Sequence, residues 1–436
     1  TINTDDLSSP GGDDYISIHA SANSNWGDNP AEKSTAIAFD KSILNTGAGN
    51  DQINLNANAT GAETYAYGAL DSIISTGAGN DYLNINANTN DNINWDPAVG
   101  LSNTVLDLGA GADSLHLNAN ANGSGVLEAY GATNTTINTD DLSSSGGDDY
   151  ISISASADSK FAENNNGEKS TAIAFDKSIL NTGSGNDQIY LEGTADGYGH
   201  ANASIYAVDG VLESYGALDS IINTGAGNDN LNIHAFTEQS YWWDNTSFGL
   251  SNTVLDLGAG ADSLHLNTSV SGSGVLEAYG ATNTTINTDD LSSPGGDDYI
   301  SISAWANNPW EVDLADKATS IGFDKSIVNT GAGNDQINLN ANASGSGILE
   351  AYGATNTTIN TDNLSSPGGD DYISINATAG GNWWQDNTAE KSTAIAFDKS
   401  ILNTGSGNDQ INLNANATGA ETYAYGALDS IINTGT

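Results

Sequence analysis

The stretch Thr46–Asn56, TGAGNDQINLN, joins a glycine-rich turn to an alternating run of residues. Two glycines form the turn, Asp51 follows them, and the apolar residues Ile53 and Leu55 then stand two positions apart. A period of two is typical of a half-buried β-strand, whereas an amphipathic helix would give a period of 3.6. The stretch therefore predicts a tight turn that leads directly into a strand.

The same unit recurs along the whole chain of 436 residues. Residues 31–77 return almost unchanged at 389–435, and the aspartate after the turn occurs twelve times, at separations of 30 to 42 residues. A repeat of about 36 residues is typical of one coil of a solenoid or one blade of a propeller. The repeated aspartates are Asp14, Asp51, Asp81, Asp113, Asp149, Asp187, Asp229, Asp262, Asp298, Asp335, Asp371 and Asp409.

Two further strands are predicted before each turn, as at Ser42–Asn45 and Thr35–Phe39. Three strands and one loop of variable length predict an all-β fold, a right-handed parallel β-helix (β-solenoid) of about 12 stacked coils of about 36 residues. We expect residues 1–436 to form a single solenoid, a window of a longer array without caps. A propeller is the alternative at this period, but no Asn-Gly or Asp-Gly hairpin turns join the strand pairs.

Composition excludes several classes of function. Asp+Glu 55 against Lys+Arg 9 gives a formal net charge of -46, which argues against nucleic acid and anionic membranes as partners. All nine basic residues are Lys, so no Arg clamp for phosphate or carboxylate is present. The chain contains no cysteine, which excludes disulfides, cysteine zinc sites and a thiol nucleophile. No apolar run is long enough to span a membrane, and no membrane insertion is expected.

The turn beginning at Thr46 resembles the hemolysin-type calcium-binding nonapeptide of RTX proteins, GGxGxDxUx, in its second and third glycines, its aspartate and its apolar residue. Thr46 replaces the first glycine. The resemblance implies an RTX β-roll-like arrangement in which Ca²⁺ lies between stacked turns, bound by aspartate carboxylates and turn carbonyls. It makes the twelve aspartates the expected ligands, together with the turn glycines Gly47, Gly49, Gly77, Gly79, Gly183, Gly185, Gly225, Gly227, Gly331, Gly333, Gly405 and Gly407.

Two departures from the family pattern limit what it implies. The nonapeptides of RTX proteins occur in tandem, whereas this chain has one turn per coil, so at most one edge is expected to bind metal. The turns of the SPGGDD type, at Asp14, Asp298 and Asp371, place Pro where the second glycine is expected. Their sites are therefore in doubt.

Charge density supports bound cations independently of the family resemblance. Twelve coils stacked at about 4.8 Å make a rod roughly 58 Å long. Spread along this length, a net charge of -46 amounts to about one negative charge per 1.3 Å. Duplex DNA carries about one negative charge per 1.7 Å, so the rod has the higher charge density. Oxygen ligands on flexible turns favour Ca²⁺ over Mg²⁺. The alternative is that Asp and Gly only form the turn, with Asp accepting local N–H bonds.

The aromatic residues give two predictions. All eight Trp are expected in the variable loops, either as an exposed adhesive edge or packed on the rod's flank: Trp26, Trp95, Trp242, Trp243, Trp305, Trp310, Trp383 and Trp384. A second aromatic column, facing either outward or into the core, is expected from Phe39, Tyr67, Tyr130, Phe175, Tyr215, Phe248, Tyr279, Phe323, Tyr352, Phe397 and Tyr425, broken near Val99. Four of the five His fall on outward strand positions and His200 in a loop, so no transition-metal site is predicted.

These features predict a secreted, structural, non-enzymatic protein of a bacterial surface. We expect a calcium-stabilised rod that assembles with itself, head to tail or laterally, into a fibril, sheath or S-layer; a weaker compositional resemblance is to cyanobacterial surface fibrils of the oscillin type. The alternatives are an RTX adhesin stalk, or a module that binds surface glycans through its Trp-rich loops.

A β-helix polysaccharide-active enzyme is disfavoured because Arg is absent and because Lys41, Lys177, Lys325 and Lys399 repeat at equivalent positions. An ice-binding face is disfavoured because Ala48 stands where a second turn Thr would be needed.

Overall fold

The computed structural model describes most of the chain as β-strands joined by turns. The described residues are 1–4, 11–24, 33–61, 63–92, 96–123, 126–140, 146–160, 168–198, 210–240, 245–289, 295–308, 317–362, 368–381 and 389–435. Within them every strand pairs in parallel with the equivalent strand of the next coil, so that the order of strands in each sheet is their order in the chain. The predicted parallel β-solenoid is therefore confirmed, and the propeller alternative is wrong.

Sheet 1 consists of thirteen short strands that precede the glycine turns. Its strands are Ile2–Asn3, Ile43–Asn45, Ile73–Ser75, Val105–Asp107, Thr136–Asn138, Ile179–Asn181, Ile221–Asn223, Val254–Asp256, Thr285–Asn287, Ile327–Asn329, Thr358–Asn360, Ile401–Asn403 and Ile431–Asn433.

Sheet 2 consists of twelve long strands that follow the turns. Its strands are Tyr15–Asn23, Gln52–Thr60, Tyr82–Asn92, Ser114–Gly123, Tyr150–Lys160, Gln188–Tyr198, Asn230–Ser240, Ser263–Gly272, Tyr299–Asn308, Gln336–Gly345, Tyr372–Gly380 and Gln410–Thr418.

Sheet 3 consists of twelve strands that return the chain to sheet 1. Its strands are Lys33–Asp40, Glu63–Leu70, Asp96–Ser102, Val126–Thr133, Glu168–Asp176, Gly210–Leu218, Asn245–Ser251, Val275–Thr282, Lys317–Asp324, Ile348–Thr355, Lys391–Asp398 and Glu421–Leu428.

The core runs along the rod axis between the three sheets. Inward positions of sheets 1 and 2, such as Leu44, Ile53 and Leu55, are fully buried. Ile53 pairs with Leu83 and Leu55 with Ile85 in the next coil, so apolar residues stack on apolar residues. Each coil can bury its apolar face only against its neighbours, which is why the repeat is stable only when it is stacked.

A left-handed residue turns the chain from sheet 3 into sheet 1 in every coil. Lys41 has a φ of 47° and Asp71 a φ of 49°. A buried hydroxyl then fixes the corner, because Ser72 donates to the carbonyl of Leu70 over 2.7 Å and accepts the N–H of Ser42 over 3.2 Å. The corner residues are Lys41, Asp71, Asn103, Asn134, Lys177, Asp219, Asn252, Asn283, Lys325, Asn356, Lys399 and Asp429. The repeated Lys therefore occupy a structural corner.

The predicted second aromatic column is wrong, because sheet 3 separates its members into two columns. Phe39 pairs with Ala69, and Ile37 pairs with Tyr67. The alternation breaks where two successive residues, such as Gly68 and Ala69, are both buried. The buried inner column contains Phe39, Phe175, Phe323 and Phe397. The outer column, whose members keep one register, is Ile37, Tyr67, Val99, Tyr130, Ile173, Tyr215, Phe248, Tyr279, Ile321, Tyr352, Ile395 and Tyr425.

The described part of the chain contains no helix that is long and apolar enough to cross a lipid bilayer.

Candidate cation-binding turn

The glycine turn between sheets 1 and 2 brings the backbones of consecutive coils into contact. Gly77 and Gly79 have φ values of 92° and 147°, which L side chains rarely adopt. A Cβ on Gly77 would lie 1.7 Å from the carbonyl oxygen of Gly47, and one on Gly79 would lie 1.6 Å from that of Gly49. At this step the close stacking of the coils therefore requires both glycines, with or without a bound cation.

The twelve predicted aspartates form one continuous ladder along this turn. The backbone N–H of Asp51 donates to Oδ1 of Asp81 over 2.8 Å, and the N–H of Asp81 donates to Oδ1 of Asp113 over the same distance. Equivalent bonds join every step from Asp14 to Asp409, with lengths of 2.8 to 3.2 Å. The sequence thus located the residues of the column correctly, while their role as ligands stays a prediction.

A second ladder lies beside the first, formed by the Asn or Asp that precedes most of the aspartates and interrupted at Ala112 and Ala261, which only donate. The N–H of Asn80 donates to Oδ1 of Asn50 over 2.8 Å, and the N–H of Asn186 donates to Oδ1 of Asp148 over 2.8 Å. These bonds run in the opposite direction along the rod from those of the aspartate ladder. The Asn-Asp pair of the motif therefore satisfies turn N–H groups of both neighbouring coils, and this role needs no metal.

The second carboxylate oxygen of each aspartate has a different environment. In five coils a threonine hydroxyl donates to Oδ2; Thr288 and Thr404 do so to Asp298 and Asp409 over 2.5 Å, and Thr139, Thr330 and Thr361 do so to Asp149, Asp335 and Asp371. In seven coils no group donates a hydrogen bond to the buried Oδ2: Asp14, Asp51, Asp81, Asp113, Asp187, Asp229 and Asp262. In three of these coils the hydroxyls of Thr76, Thr182 and Thr224 donate to backbone carbonyls instead, but they lie near enough to Asp81, Asp187 and Asp229 to oppose the rise that burial causes in the pKa of those carboxyl groups. A buried carboxylate oxygen without a partner is costly when the group is ionised.

Burial, followed by repulsion between neighbouring carboxylates, shifts the titration of the ladder. Burial raises the pKa of Asp229 to about 7, although the Thr224 hydroxyl opposes the shift, and it raises the pKa of Asp262 to about 8. Burial also raises the pKa of Asp335 to about 8, although the Thr330 hydroxyl opposes the shift. Without a cation, part of the ladder therefore binds protons near neutral pH. Because a carboxylate must lose its proton to bind a metal ion, any cation that binds here would displace these protons, and its affinity would increase with pH.

Three coils carry an additional aspartate that the sequence analysis missed. A Cβ on Gly331 would lie 2.4 Å from Cβ of Asp289, and one on Gly405 would lie 2.2 Å from Cβ of Asp362. Asp289 and Asp362 thus occupy the register of the second glycine, as Asp140 does below Gly183. The prediction that Pro takes this register is wrong for the turns at Asp298 and Asp371, because Asp289 and Asp362 take it. Pro10, Pro294 and Pro367 lie outside the described residues, and the prediction is untested for the turn at Asp14.

These additional aspartates increase the negative potential in the turn. Burial first, and then the charges of Asp289 and Asp262, raise the pKa of Asp298 to about 8. The sequence contains a signal by which these additional aspartates could have been found. Each follows directly on a threonine, as in Thr288-Asp289.

The donor set in the turn fits a hard cation. Among the described residues, no group of three or more His, Cys, Asp or Glu side chains is arranged to hold a metal ion. A site between adjacent turns would therefore combine one or two aspartate Oδ2 atoms with backbone carbonyls. Ca²⁺ accepts such mixed carboxylate and carbonyl oxygens in flexible geometry, whereas Mg²⁺ demands a rigid octahedron. The buried, partnerless Oδ2 atoms are the observation that supports this fit.

Other predicted features lie away from the turn. The prediction that all Trp lie in loops is wrong for Trp305, which lies within the strand Tyr299–Asn308 of sheet 2. Trp305 is 46% exposed, and its Nε1 donates to Ser344 over 3.3 Å. The other seven Trp lie outside the described residues. The outward positions of His19, His116, His234 and His265 are confirmed, while His200 lies outside the described residues. His116 lies between Tyr82 and Tyr150, whose rings are tilted relative to the imidazole, with ring centroids 5.3 Å away on each side.

Comparison with protein-family models finds no match for this sequence, and comparison with curated proteins finds none either.

Proposed function

We propose that the chain is a structural, non-catalytic rod whose turns bind Ca²⁺, and that it assembles with further copies into an extracellular fibril, sheath or S-layer of a bacterial surface. The observation that carries the proposal is the ladder of buried aspartates with partnerless Oδ2 atoms. A net charge of -46 along one narrow rod adds a second reason for cations to accumulate.

In this proposal the ladder has two uses. Oδ1 of each aspartate binds the neighbouring backbone, and Oδ2 binds the cation together with turn carbonyls. Bound Ca²⁺ supplies the positive charge that otherwise only protons provide. Because each carboxylate belongs to the boundary between two coils, each ion stabilises the stacking of coils rather than a single coil, so binding and folding are coupled.

An extracellular location agrees with the proposed cation. Modules that work outside the cell bind Ca²⁺ with dissociation constants of roughly 10⁻⁴ to 10⁻³ M, which the mixed ligand set of a single turn is suited to provide. Inside a cell such sites would compete poorly for the ion. The resemblance of the turn to RTX nonapeptides supports the same location.

The experiment that tests the proposal is far-UV circular dichroism with light scattering on calcium-free protein, titrated with CaCl₂ and separately with MgCl₂ at matched ionic strength. We expect β-sheet signal and particle size to increase with Ca²⁺ at concentrations where Mg²⁺ has little effect. A chain that is fully β-structured in chelator and unaffected by Ca²⁺ would rule out the calcium-dependent part.

Glycan binding is a second candidate function, favoured by Trp305. Its ring is exposed on the outer face of sheet 2, beside Ser and Asn side chains that can hydrogen-bond to sugar hydroxyls. Retention of the protein on insoluble neutral polysaccharides, and its loss in Trp305→Ala, would support this function; equal retention of both proteins would reject it.

A further inference from the structure

The short strands of sheet 1 leave an apolar stripe on the outside of the rod. In the twelve strands from Ile43–Asn45 onward the first residue faces outward, and the nine Ile and Val among these residues are 37 to 55% exposed. Among the described residues, the other exposed Ile or Val are Ile2 and Ile432, in the first and last strands of this sheet. The sheet 1 stripe consists of Ile43, Ile73, Val105, Thr136, Ile179, Ile221, Val254, Thr285, Ile327, Thr358, Ile401 and Ile431.

Two polar columns flank the sheet 1 stripe. On one side the last residue of each strand is mostly Asn, and the amides bond along the rod, as from Asn223 to Asn181 over 2.9 Å and from Asn403 to Asn360 over 2.7 Å. On the other side lie the left-handed corner residues. The face therefore presents three columns with the same coil-to-coil spacing.

We propose that this face joins two copies of the chain as antiparallel rods, with the sheet 1 stripe of one copy against that of the other. The inference deepens the proposed function and rests on it, because it names the surface through which rods associate laterally. The two copies are related by a two-fold axis that lies between the two faces and is perpendicular to the rods. This rotation places each column of one copy against the same column of the partner, in reversed coil order. An exposed stripe of Ile and Val, interrupted by three Thr, on a highly charged chain is typical of such an interaction surface.

The charges of the corner column support a second copy as the occupant. With the two-fold axis between Asp219 and Asn252, Lys41 of one copy faces Asp429 of the other, and Asp71 faces Lys399. The order of the corner residues in the chain then gives four Lys–Asp pairs between the two copies. No corner residue faces one of like charge. A shift by one coil instead places Lys41 opposite Lys399, or Asp71 opposite Asp429.

The asparagine column is compatible with the same register. Its two acidic members then face amides rather than each other, since Asp107 meets Asn360 and Asp256 meets Asn223. An amide can donate a hydrogen bond to a carboxylate, so neither charge is left opposite another charge.

The corner lysines are positioned to act between copies. Four of the nine Lys of the chain stand in this column, and their side chains are 57 to 71% exposed. Each also forms an ion pair with the aspartate that precedes it, over 3.2 to 3.9 Å, so an aspartate of a second copy would share an ammonium group that already has one partner. Two chains that each carry a net charge of -46 repel over most of their surface. Contact therefore requires a face on which apolar burial and opposite charges combine.

Engineered cysteines test the arrangement directly, because the chain has no cysteine of its own. The double variant Ile73→Cys, Ile401→Cys places its two thiols nine strand spacings of about 4.8 Å apart, roughly 43 Å, too far for a disulfide within one chain. In the antiparallel pair each thiol lies opposite the other position of the partner. We expect a disulfide-linked dimer from the double variant and little from either single variant. Efficient dimers from one single variant, or none from the double variant, would overturn the proposal.

Sedimentation velocity in saturating CaCl₂ tests the charge register. We expect dimers of the wild-type chain, at least tenfold weaker association for Lys41→Asp, Lys399→Asp, and restored association when Asp71→Lys and Asp429→Lys are added. All four changes use residues that already occur at this corner, so the fold should be kept. As a control, Tyr82→Ser, Tyr190→Ser removes side chains of similar exposure from sheet 2 and should leave the dimer intact.

A wild-type chain that remains monomeric, or a dimer lost equally in the sheet 2 control, would contradict the proposed surface. A separate measurement tests the calcium proposal. If the circular dichroism spectrum and the melting temperature are the same in Ca²⁺ and in chelator, the calcium proposal fails. Dimers are scored in the same samples, so either proposal can fail without the other.

Discussion

The backbone N–H of Asp51 donates a 2.8 Å hydrogen bond to Oδ1 of Asp81, 30 residues further along the chain and one coil away. This bond fixes the register of two coils at a turn where the glycines offer no side chains. It uses only one carboxylate oxygen. The other oxygen of Asp81 is buried, and the nearby Thr76 hydroxyl donates to the carbonyl of Leu108 instead. The proposed cation chemistry depends on that oxygen.

Substitutions at Asp229 should separate the two uses of the carboxylate. Asp229→Asn keeps an acceptor for the N–H of Asp187, which now bonds over 2.8 Å, but removes the charge. In chelator we expect the Asn variant to be at least as stable as wild type, and to gain less stability from Ca²⁺. Asp229→Ala leaves that buried N–H without a partner and should lose about 1–3 kcal/mol under both conditions. Thermal unfolding with and without Ca²⁺ measures both effects, and equal behaviour of the two variants would contradict this division.

Stability of the calcium-free protein should decrease as pH rises. Burial holds the pKa of Asp229 at about 7 and the pKa of Asp335 at about 8 in the folded state, above the usual value of about 3.9. Between roughly pH 4 and pH 8 the folded state thus binds more protons than the unfolded state, so the free energy of unfolding falls with rising pH. We expect a higher melting temperature in chelator at pH 5.5 than at pH 8.

A control distinguishes the ladder from the charge of the whole chain, which acts in the same direction. Asp229→Asn with Asp335→Asn should reduce the pH dependence, whereas the exposed corner change Asp219→Asn, with Asp335 and Asp229 intact, should leave most of it. A melting temperature that rises from pH 5.5 to pH 8 in chelator would be incompatible with the buried ladder.

The contact between glycines predicts strong position dependence. Gly79→Ala would place a Cβ 1.6 Å from the carbonyl oxygen of Gly49, at a φ of 147°. We expect a loss of at least about 2 kcal/mol from backbone strain and displaced stacking. Gly12→Ala is the matched control, since nothing lies within 4 Å of its Cβ position. Chemical denaturation of both variants in Ca²⁺ checks this, and a tolerated Gly79→Ala would show that the coils are not in contact there.

The two columns of sheet 3 should differ in stability cost. Phe323 is fully buried in the inner column, so Phe323→Ala should lose about 3–5 kcal/mol through lost transfer energy and a cavity. Tyr279 is half-buried in the outer column, where it stacks on Phe248 with ring centroids 4.9 Å apart. Tyr279→Ala should cost clearly less. The reverse order of the two losses would mean that the columns are assigned to the wrong faces.

Much of the fold follows from period-two patterning and the repeat. Ile53 and Leu55 alternate with Asn, and the glycine turn recurs at every coil, so the parallel stacking and the column of twelve aspartates were predictable. The two columns of sheet 3 were not. Phe39 and Tyr67 have similar neighbours in sequence, and the break at Gly68 and Ala69 that puts them on different faces depends on packing between coils.

The site was predictable only in part, for a related reason. Spacing identified Asp298 but not Asp289, because the five residues 290–294 are inserted between the Asp289 register and the rest of the turn. The sheet 1 stripe was also missed. Alternation places Ile43 and Leu44 on opposite faces, but it does not show that Ile43 recurs in register as an exposed column over the length of the rod.

The most direct test of the central claim is a count of bound calcium, by native mass spectrometry or equilibrium dialysis of the wild-type chain in CaCl₂ at about 1 mM. If Ca²⁺ lies between adjacent turns of the aspartate ladder, several ions should bind per chain, up to one for each step of the ladder, and Asp229→Asn should bind fewer. No bound Ca²⁺ at this concentration, together with unchanged folding in chelator, would contradict the claim and leave the ladder as a purely hydrogen-bonded turn.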